Sequence, residues 1–277
     1  MRVAINHETI YRYRNVTNHS VQYLRLSPIS GSGQRVLSWK LASPGNLCAW
    51  VDGFGNAAHV LVVEGPHQEI RIKAIGEVEI ADLAKPLLAD SEPHPPELFL
   101  RPTRLTENDE RVTRFAGGFK PVLSTNPRKG LDSLVAGIRQ NVEAKPGQTQ
   151  SPATASQALD RRAGGCQDQA HLFISCCRSL GVPARYVSGY LCSDSQDEQG
   201  MSNHAWAEAW VDGAGWFSYD VANRMSNAKA HVRVAVGLDY LDTAPIRGLR
   251  QGAGNEEMEV EVTISDARKL KQKKDQQ

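Results

Sequence analysis

The chain has 277 residues, 40% of them apolar, enough to bury one sizeable core or two modest ones. Its 32 basic and 31 acidic residues nearly cancel, and no lysine- or arginine-rich face occurs in the body of the sequence, which argues against a nucleic-acid partner. No run of about 18 uninterrupted apolar residues is present, and "MRVAINHETIYRYR" lacks an apolar signal region, so neither a membrane nor secretion is expected and the cytoplasm is favoured.

Residues 1–82 read as an antiparallel β domain. "VQYLRLSP", "QRVLSWKLAS", "AAHVLVVEG" and "EIRIKAIGEVEI" are β-rich runs punctuated by Gly, Pro, Ser or Asn, and the last alternates apolar and charged residues as a strand with one wet face should. Asp52-Gly53 and Gly55-Asn56 flank Phe54 in a tight connection. Residues 83–104 are crowded with prolines and read as a connection without regular structure.

A second unit, residues 105–266, opens with helices. "TENDERVTRFAGG" starts on a threonine cap with an acidic first turn, "LDSLVAGIRQNVE" has helical apolar spacing, and "ASQALDRRAGG" is a short helix leading into Cys166. The run from Cys166 to Leu180 stops at Gly181 with Pro183 behind it, the punctuation of a helix end. Strands then return in "ARYVSGYL", "HAWAEAWV", "GWFSYD" and "MEVEVTI", so the unit is expected to be α+β, not doubly wound. The basic tail 267–277 reads as a solvated end.

Five cysteines, Cys48, Cys166, Cys176, Cys177 and Cys192, form no C-x-x-C pair and are odd in number, which points to reduced thiols and away from a disulfide framework or a zinc ribbon. No metal or cofactor is expected; the acidic "SDSQDEQG" lacks the alternating ligands of a calcium loop. Cys166 differs from the others in standing at a helix start, where unpaired N–H groups and the helix dipole stabilise a thiolate and an adjacent oxyanion. Its own helical stripe, Ala170, Phe173 and Cys177, is apolar, which leaves a plain core role open. Gly164 and Gly165 remove side chains where a substrate backbone would approach the sulfur. His171 and Asp168 turn away from Cys166 by helix geometry and are expected to pack, as are Cys176 and Cys177.

A base must therefore come from elsewhere in the chain. In "NHAWAEAWV" the period of two sets His204, Trp206, Glu208 and Trp210 on one face and small residues on the other. After the turn "DGAG", the returning strand ends at Asp220, whose carboxylate can orient an imidazole; a shared face with His204 requires an odd-length loop or a bulge.

With these residues in view, "RRAGGCQDQAHLFISCCRSLGVPARYVSGYL", "HAWAEAWVDGAGWFSYDVAN" and "VAVGLDYLDTAPIRG" resemble successive blocks of the bacterial transglutaminase-like family, and "HETIYRYRNVTNHSVQYLRLSP" and "DGFGN" resemble its N-terminal β region. The resemblance implies an N-terminal antiparallel β domain followed by a papain-like, transglutaminase-like α+β core, with nucleophile Cys166, base Histidine 204 (His204) and acid Asp220. Gln169 stands where relatives usually carry an aromatic residue, and Val221 where proline is common. Gly165, Gln167 and Trp206 are candidates for the substrate cleft; Gln148 and Gln150 are candidates for the second oxyanion donor. The expected reaction is acyl transfer from a peptide, protein or other amide substrate through a thioester, with hydrolysis favoured, isopeptide formation as the alternative, and a non-catalytic peptide-binding module as a third reading.

Overall fold

The alternating run "EIRIKAIGEVEI" becomes the second half of a 24-residue strand in the computed structural model, which describes residues 1–31, 33–80, 94–145, 153–191, 203–223 and 231–266. The first sheet contains β1 (Arg2–Leu24), β2 (Gln34–Ala42), β3 (Asn46–Val51) and β4 (Ala57–Ile80). Runs separated in sequence by "PHQ" are thus one long strand, antiparallel to β1 along most of its length, with register shifts on either side of Thr17.

A helical layer follows: α1 (Glu110–Gly117), α2 (Lys120–Thr125), α3 (Pro127–Asn141), the short strand β5 (Glu143–Ala144), α4 (Ala155–Arg161), the short strand β6 (Ala163–Gly164) and α5 (Cys166–Ser179). Asp109 caps α1, accepting from the backbone N–H groups of Arg111 and Val112, so the helix starts three residues after the Thr106 cap expected from sequence. Thr106 is buried instead and bonds Thr103 and the Arg178 guanidinium.

The second sheet has the order β10-β7-β8-β9, all antiparallel, from β7 (Ala184–Leu191), β8 (Asn203–Val211), β9 (Gly215–Tyr219) and β10 (His231–Gly237). Buried Ala205, Ala207 and Ala209 give β8 a face with no bulk, and α5 packs in one core cluster with these alanines, Phe173 stacking on Tyr219 at 5.0 Å. After α6 (Tyr240–Thr243), the chain leaves this unit. Strands β11 (Ile246–Gln251) and β12 (Glu256–Asp266) both pair with β1 in the first sheet. The grouping of 105–266 as one unit is corrected here: "MEVEVTI" completes the N-terminal sheet, because the 23-residue β1 presents a long free edge that only another strand can satisfy.

The proline-rich connection also needs correcting where it is described. Residues Pro96–Leu100 form a 3₁₀ turn, and Phe99 is buried edge-on against Trp216 at 5.3 Å. Arg178, in the last turn of α5, fastens this turn by donating to the Phe99 carbonyl while also donating to the carbonyls of Ala184 and Leu238. Burial lowers its pKa to about 10, and these carbonyls offset the loss of water.

The two sheets meet along β10. Its outer edge would be open, but two side-chain amides of the first sheet region close it: Gln34 exchanges hydrogen bonds with the backbone of Arg233 (2.7 and 2.8 Å), and Asn56 with that of Val236 (2.8 and 2.8 Å). Asp52 shapes the "DGFGN" turn that presents Asn56, accepting from the N–H groups of Phe54 and Asn56 and pairing with Arg25 at 2.7 Å. Among the described residues no helix is long and apolar enough to cross a membrane.

Candidate active site

Cys166 is the first residue of α5, half-buried, with Gly165 as the cap position. The helix start is held by Asp168 from inside: its Oδ2 accepts from the Gly165 N–H (3.0 Å) and its Oδ1 from the Ala153 N–H (2.8 Å), tying the segment before α4 to the cysteine turn. A Cβ placed on Gly164 would lie 2.7 Å from the Asp168 Cβ and 3.1 Å from Oδ2. The bare backbone at 164 therefore serves this carboxylate, which sequence reasoning had attributed to substrate approach. Gly164→Ala should cost about 1–3 kcal/mol in urea unfolding and slow alkylation of Cys166, since the shift falls on the turn that aims the sulfur.

His204 lies on β8 opposite Gly189 of β7. The β8–β9 connection pairs Val211 with Gly215, leaving three loop residues, the odd length a shared face requires. Continuing the register Ala207↔Tyr219 sets residue 220 across from Trp206, one diagonal step from His204. His204 Nε2 donates to Asp220 Oδ2 at 2.7 Å, Asn223 Nδ2 lies 3.3 Å from the same nitrogen, and the Cys166 thiol lies beside the ring, close enough to raise its pKa. With Nε2 committed to the carboxylate, Nδ1 is the nitrogen left for the sulfur. Burial pulls the His204 pKa down, but the Asp220 hydrogen bond and Cys166 outweigh it and push the value up to about 9. Of the three residues singled out from the sequence, His204 and Asp220 are joined directly, and Cys166 lies next to the imidazole.

Asp220 is surrounded by donors that sequence reasoning missed. Its Oδ2 also accepts from His231 Nε2 (2.8 Å) and Asn223 Nδ2 (3.2 Å), and its Oδ1 from the Asn223 N–H (3.1 Å). Burial favours the protonated acid, yet the His204 and His231 hydrogen bonds prevail and hold the carboxyl well below the usual carboxylate range. Arg139 of α3 reaches over to the loop and donates to the carbonyls of Asp220 (2.7 Å), Val221 (2.9 Å) and Asn223. His231 is the first residue of β10, too far along the chain for any spacing rule to link it to Asp220.

The donor atoms of His204, Asp220 and His231 all lie within 4.8 Å of one another. Both imidazoles point Nε2 at the same carboxylate oxygen, so those nitrogens are occupied as N–H donors, and the cluster is a hydrogen-bonded array.

Of the cleft candidates, Gly165 and Gln167 sit half-buried beside the cysteine. Trp206 does not: it is 2% exposed and packs with Val187, Val236 and Phe54, so it is a core residue under His204 and not a cleft wall. The indole fits because Gly189 beneath it has no side chain; a Cβ there would sit 2.8 Å from the ring and 2.1 Å from the Val232 carbonyl oxygen. Gln148, Gln150, Cys192 and the acidic loop 193–200 lie outside the described residues. His171 is fully buried against Tyr186 at 5.0 Å and accepts from the Tyr240 N–H, and burial lowers its pKa to about 4, which keeps it neutral. Cys176 and Cys177 are buried, and burial raises both thiols far above their ordinary value.

A cysteine opening a helix, facing a histidine on an adjoining antiparallel sheet, places the fold among transglutaminase-like folds. The family model of the transglutaminase-like superfamily matches residues 121–221, and that of the bacterial transglutaminase-like N-terminal region matches residues 3–79. The chain belongs to this family. It is 29% identical over 278 residues to an uncharacterised protein of Mycobacterium leprae, covering 95% of this chain and 98% of that one. Over 135 residues it is 29% identical to a protein of Pseudomonas aeruginosa named protein-glutamine gamma-glutamyltransferase, covering 43% of this chain and 20% of that one. In fold it is similar to a crystal structure from Cytophaga hutchinsonii titled as a candidate cysteine protease, with a TM-score of 0.76 and 21% identity over 96% of this chain and 91% of that one.

Proposed function

We propose that the protein is a thiol-dependent acyl-transfer enzyme in which Cys166 is the nucleophile, His204 the acid–base group and Asp220 its orienting carboxylate, acting on peptide or other amide bonds and delivering the acyl group to water. The observation that carries this reading is the hydrogen bond from His204 Nε2 to Asp220 Oδ2 at 2.7 Å, with the Cys166 thiol beside the same ring. In the first step the sulfur attacks the amide carbon while the positive end of α5 faces the developing oxyanion. His204 then passes a proton to the departing amine, leaving a thioester. In the second step His204 takes a proton from water, hydroxide oxygen bonds to the acyl carbon, and the C–S bond breaks to release the carboxylate and restore the thiol. Cys166 is half-buried and not sealed, which supports water as acceptor.

The Pseudomonas aeruginosa relative named for glutamyl transfer supports a second reading, in which an amine takes the place of water in the second step. Incubation with an amide-bearing peptide pool and a labelled primary amine separates the two: cleavage without label supports hydrolysis, and label in the products supports transfer. A third reading, peptide binding without turnover, predicts neither.

The pH profile is a further check. His204, with its pKa at about 9, keeps its second proton to well above neutrality, so turnover is expected to hold through pH 8 and fall as pH rises through about 9. The same sign governs stability. A histidine whose folded pKa exceeds its unfolded value of 6.5 contributes stability that is complete below about pH 6.5 and is lost as pH rises through 9. A His204→Ala variant should therefore lose the alkaline fall in thermal midpoint that the parent shows between pH 7 and 9.5.

A further inference from the structure

Asp220 Oδ2 is shared. His204 and His231 approach it from two different strands, at 2.7 and 2.8 Å, with their rings nearly parallel at 22° and 5.8 Å apart. Each added N–H donor on one carboxylate oxygen draws on the same negative charge, so two imidazoles on Oδ2 compete for it. The arrangement here is built. His231 is buried, it leans on Trp206 at 4.6 Å, and the two rings meet across β7 over Gly189, the position where a side chain would collide with the indole. Among the described residues His231 Nδ1 has no hydrogen-bond partner, and Asp220 is the polar anchor of the ring.

Resting on the reading of Cys166, His204 and Asp220 given above, we propose that His231 is a positioning residue that divides the charge of Asp220 between two imidazoles and so limits how firmly His204 keeps the proton it must give to the leaving amine. A carboxylate directed wholly at His204 would hold the imidazolium too tightly and slow that transfer. With His231 sharing Oδ2, the carboxylate stays ionised and aimed while its pull on His204 is reduced. Among the described residues, the titratable and charged groups around His231 are His204 on β8, Asp220 after β9, and Cys166 beyond His204 on α5. Arg139 of α3 is bound to the carbonyls of the Asp220 loop. On its own strand, Arg233 lies near Glu208, 3.6 Å away, which is already paired with Arg185.

The test uses two variants of the whole chain and one measurement that needs none. Alkylation of Cys166 by iodoacetamide, followed across pH by peptide mapping, reads ionisation of the thiol at its acid limb and of His204 at its alkaline limb. His231→Phe, which fills the space without a donor, should move the alkaline limb upward by roughly half a pH unit or more and lower amide turnover about 10-fold. His231→Gln, which keeps a neutral N–H for Oδ2, should restore the alkaline limb to the parent position. A residue that merely supports packing would loosen Asp220 and move that limb downward in the Phe variant, and an unmoved or lowered limb, or a Gln variant that behaves like Phe, overturns the proposal. Independently of folding of either variant, nitrogen-15 NMR of the parent should find both His204 and His231 protonated on Nε2; His231 carrying its proton only on Nδ1 also overturns it. If the parent itself shows the profile of an ordinary free thiol, it is the reading of the active site that fails.

Discussion

Replacing Cys166 by alanine is expected to lower amide turnover by about 10⁴-fold or more while leaving the protein folded. The sulfur is half-buried at the first turn of α5, and the turn is shaped by Asp168 and its two backbone donors, not by the thiol, so the thermal midpoint should stay within about 3 °C of the parent. Serine at the same place should be nearly as inactive, since a hydroxyl is a far weaker acid and a poorer nucleophile than a thiol. Chemical labelling has to be read by site. Cys48 is exposed on β3 and will react with iodoacetamide as any surface thiol does, whereas Cys176 and Cys177 are closed off in the core with their thiols pushed up by burial. Loss of activity should therefore track the peptide containing Cys166 and be indifferent to Cys48. Turnover that survives Cys166→Ala would mean that the chemistry belongs to another group and that the proposed mechanism is wrong.

The parts of this site that were legible in the sequence are those set by local geometry. A glycine-flanked cysteine before an apolar helical run can only open that helix, and the period of two in "NHAWAEAWV" had to put the alanines against it. Parity alone showed that His204 and Asp220 need an odd loop, and the three residues between Val211 and Gly215 supply it. What the sequence hid are partners that meet across elements. His231 joins Asp220 from the far edge of the sheet, Arg139 reaches the Asp220 loop from α3, and nothing in the spacing of either residue marks it. Trp206 was misread because alternation assigns a face without saying what covers it; the "DGFGN" turn does, with Phe54 packed in the same cluster as the indole. The return of β11 and β12 to the first sheet was equally hidden, because a strand pattern does not name its neighbour, and the length of β1 that demands them becomes visible only once its pairing with β4 is known.

Breaking the ion pair beneath the site should have the largest effect on stability. Arg185 is fully buried, its guanidinium 4.1 Å from the centre of the Trp216 ring and 5.7 Å from that of Phe99, and its Nε and Nη2 both lie 2.7 Å from Glu208 Oε2. Glu208 is as deeply buried, four residues along β8 from His204 and on the same face. Charges withdrawn from water this completely depend on each other: Glu208→Ala takes the carboxylate from a guanidinium packed against two aromatic rings, and Arg185→Met leaves the carboxylate, among the described residues, to the more distant Arg233 at 3.6 Å. Each single variant should lose about 3–5 kcal/mol in urea unfolding. The double variant Arg185→Met with Glu208→Leu removes both charges while keeping most of the volume, and it should recover most of that loss, because the stability of the pair is spent largely on desolvating it. Single variants within about 1 kcal/mol of the parent would mean that water reaches the pair. A double variant as unstable as the worse single would mean that the pair's directed hydrogen bonds, and not its mutual neutralisation, hold β7 to β8 under His204.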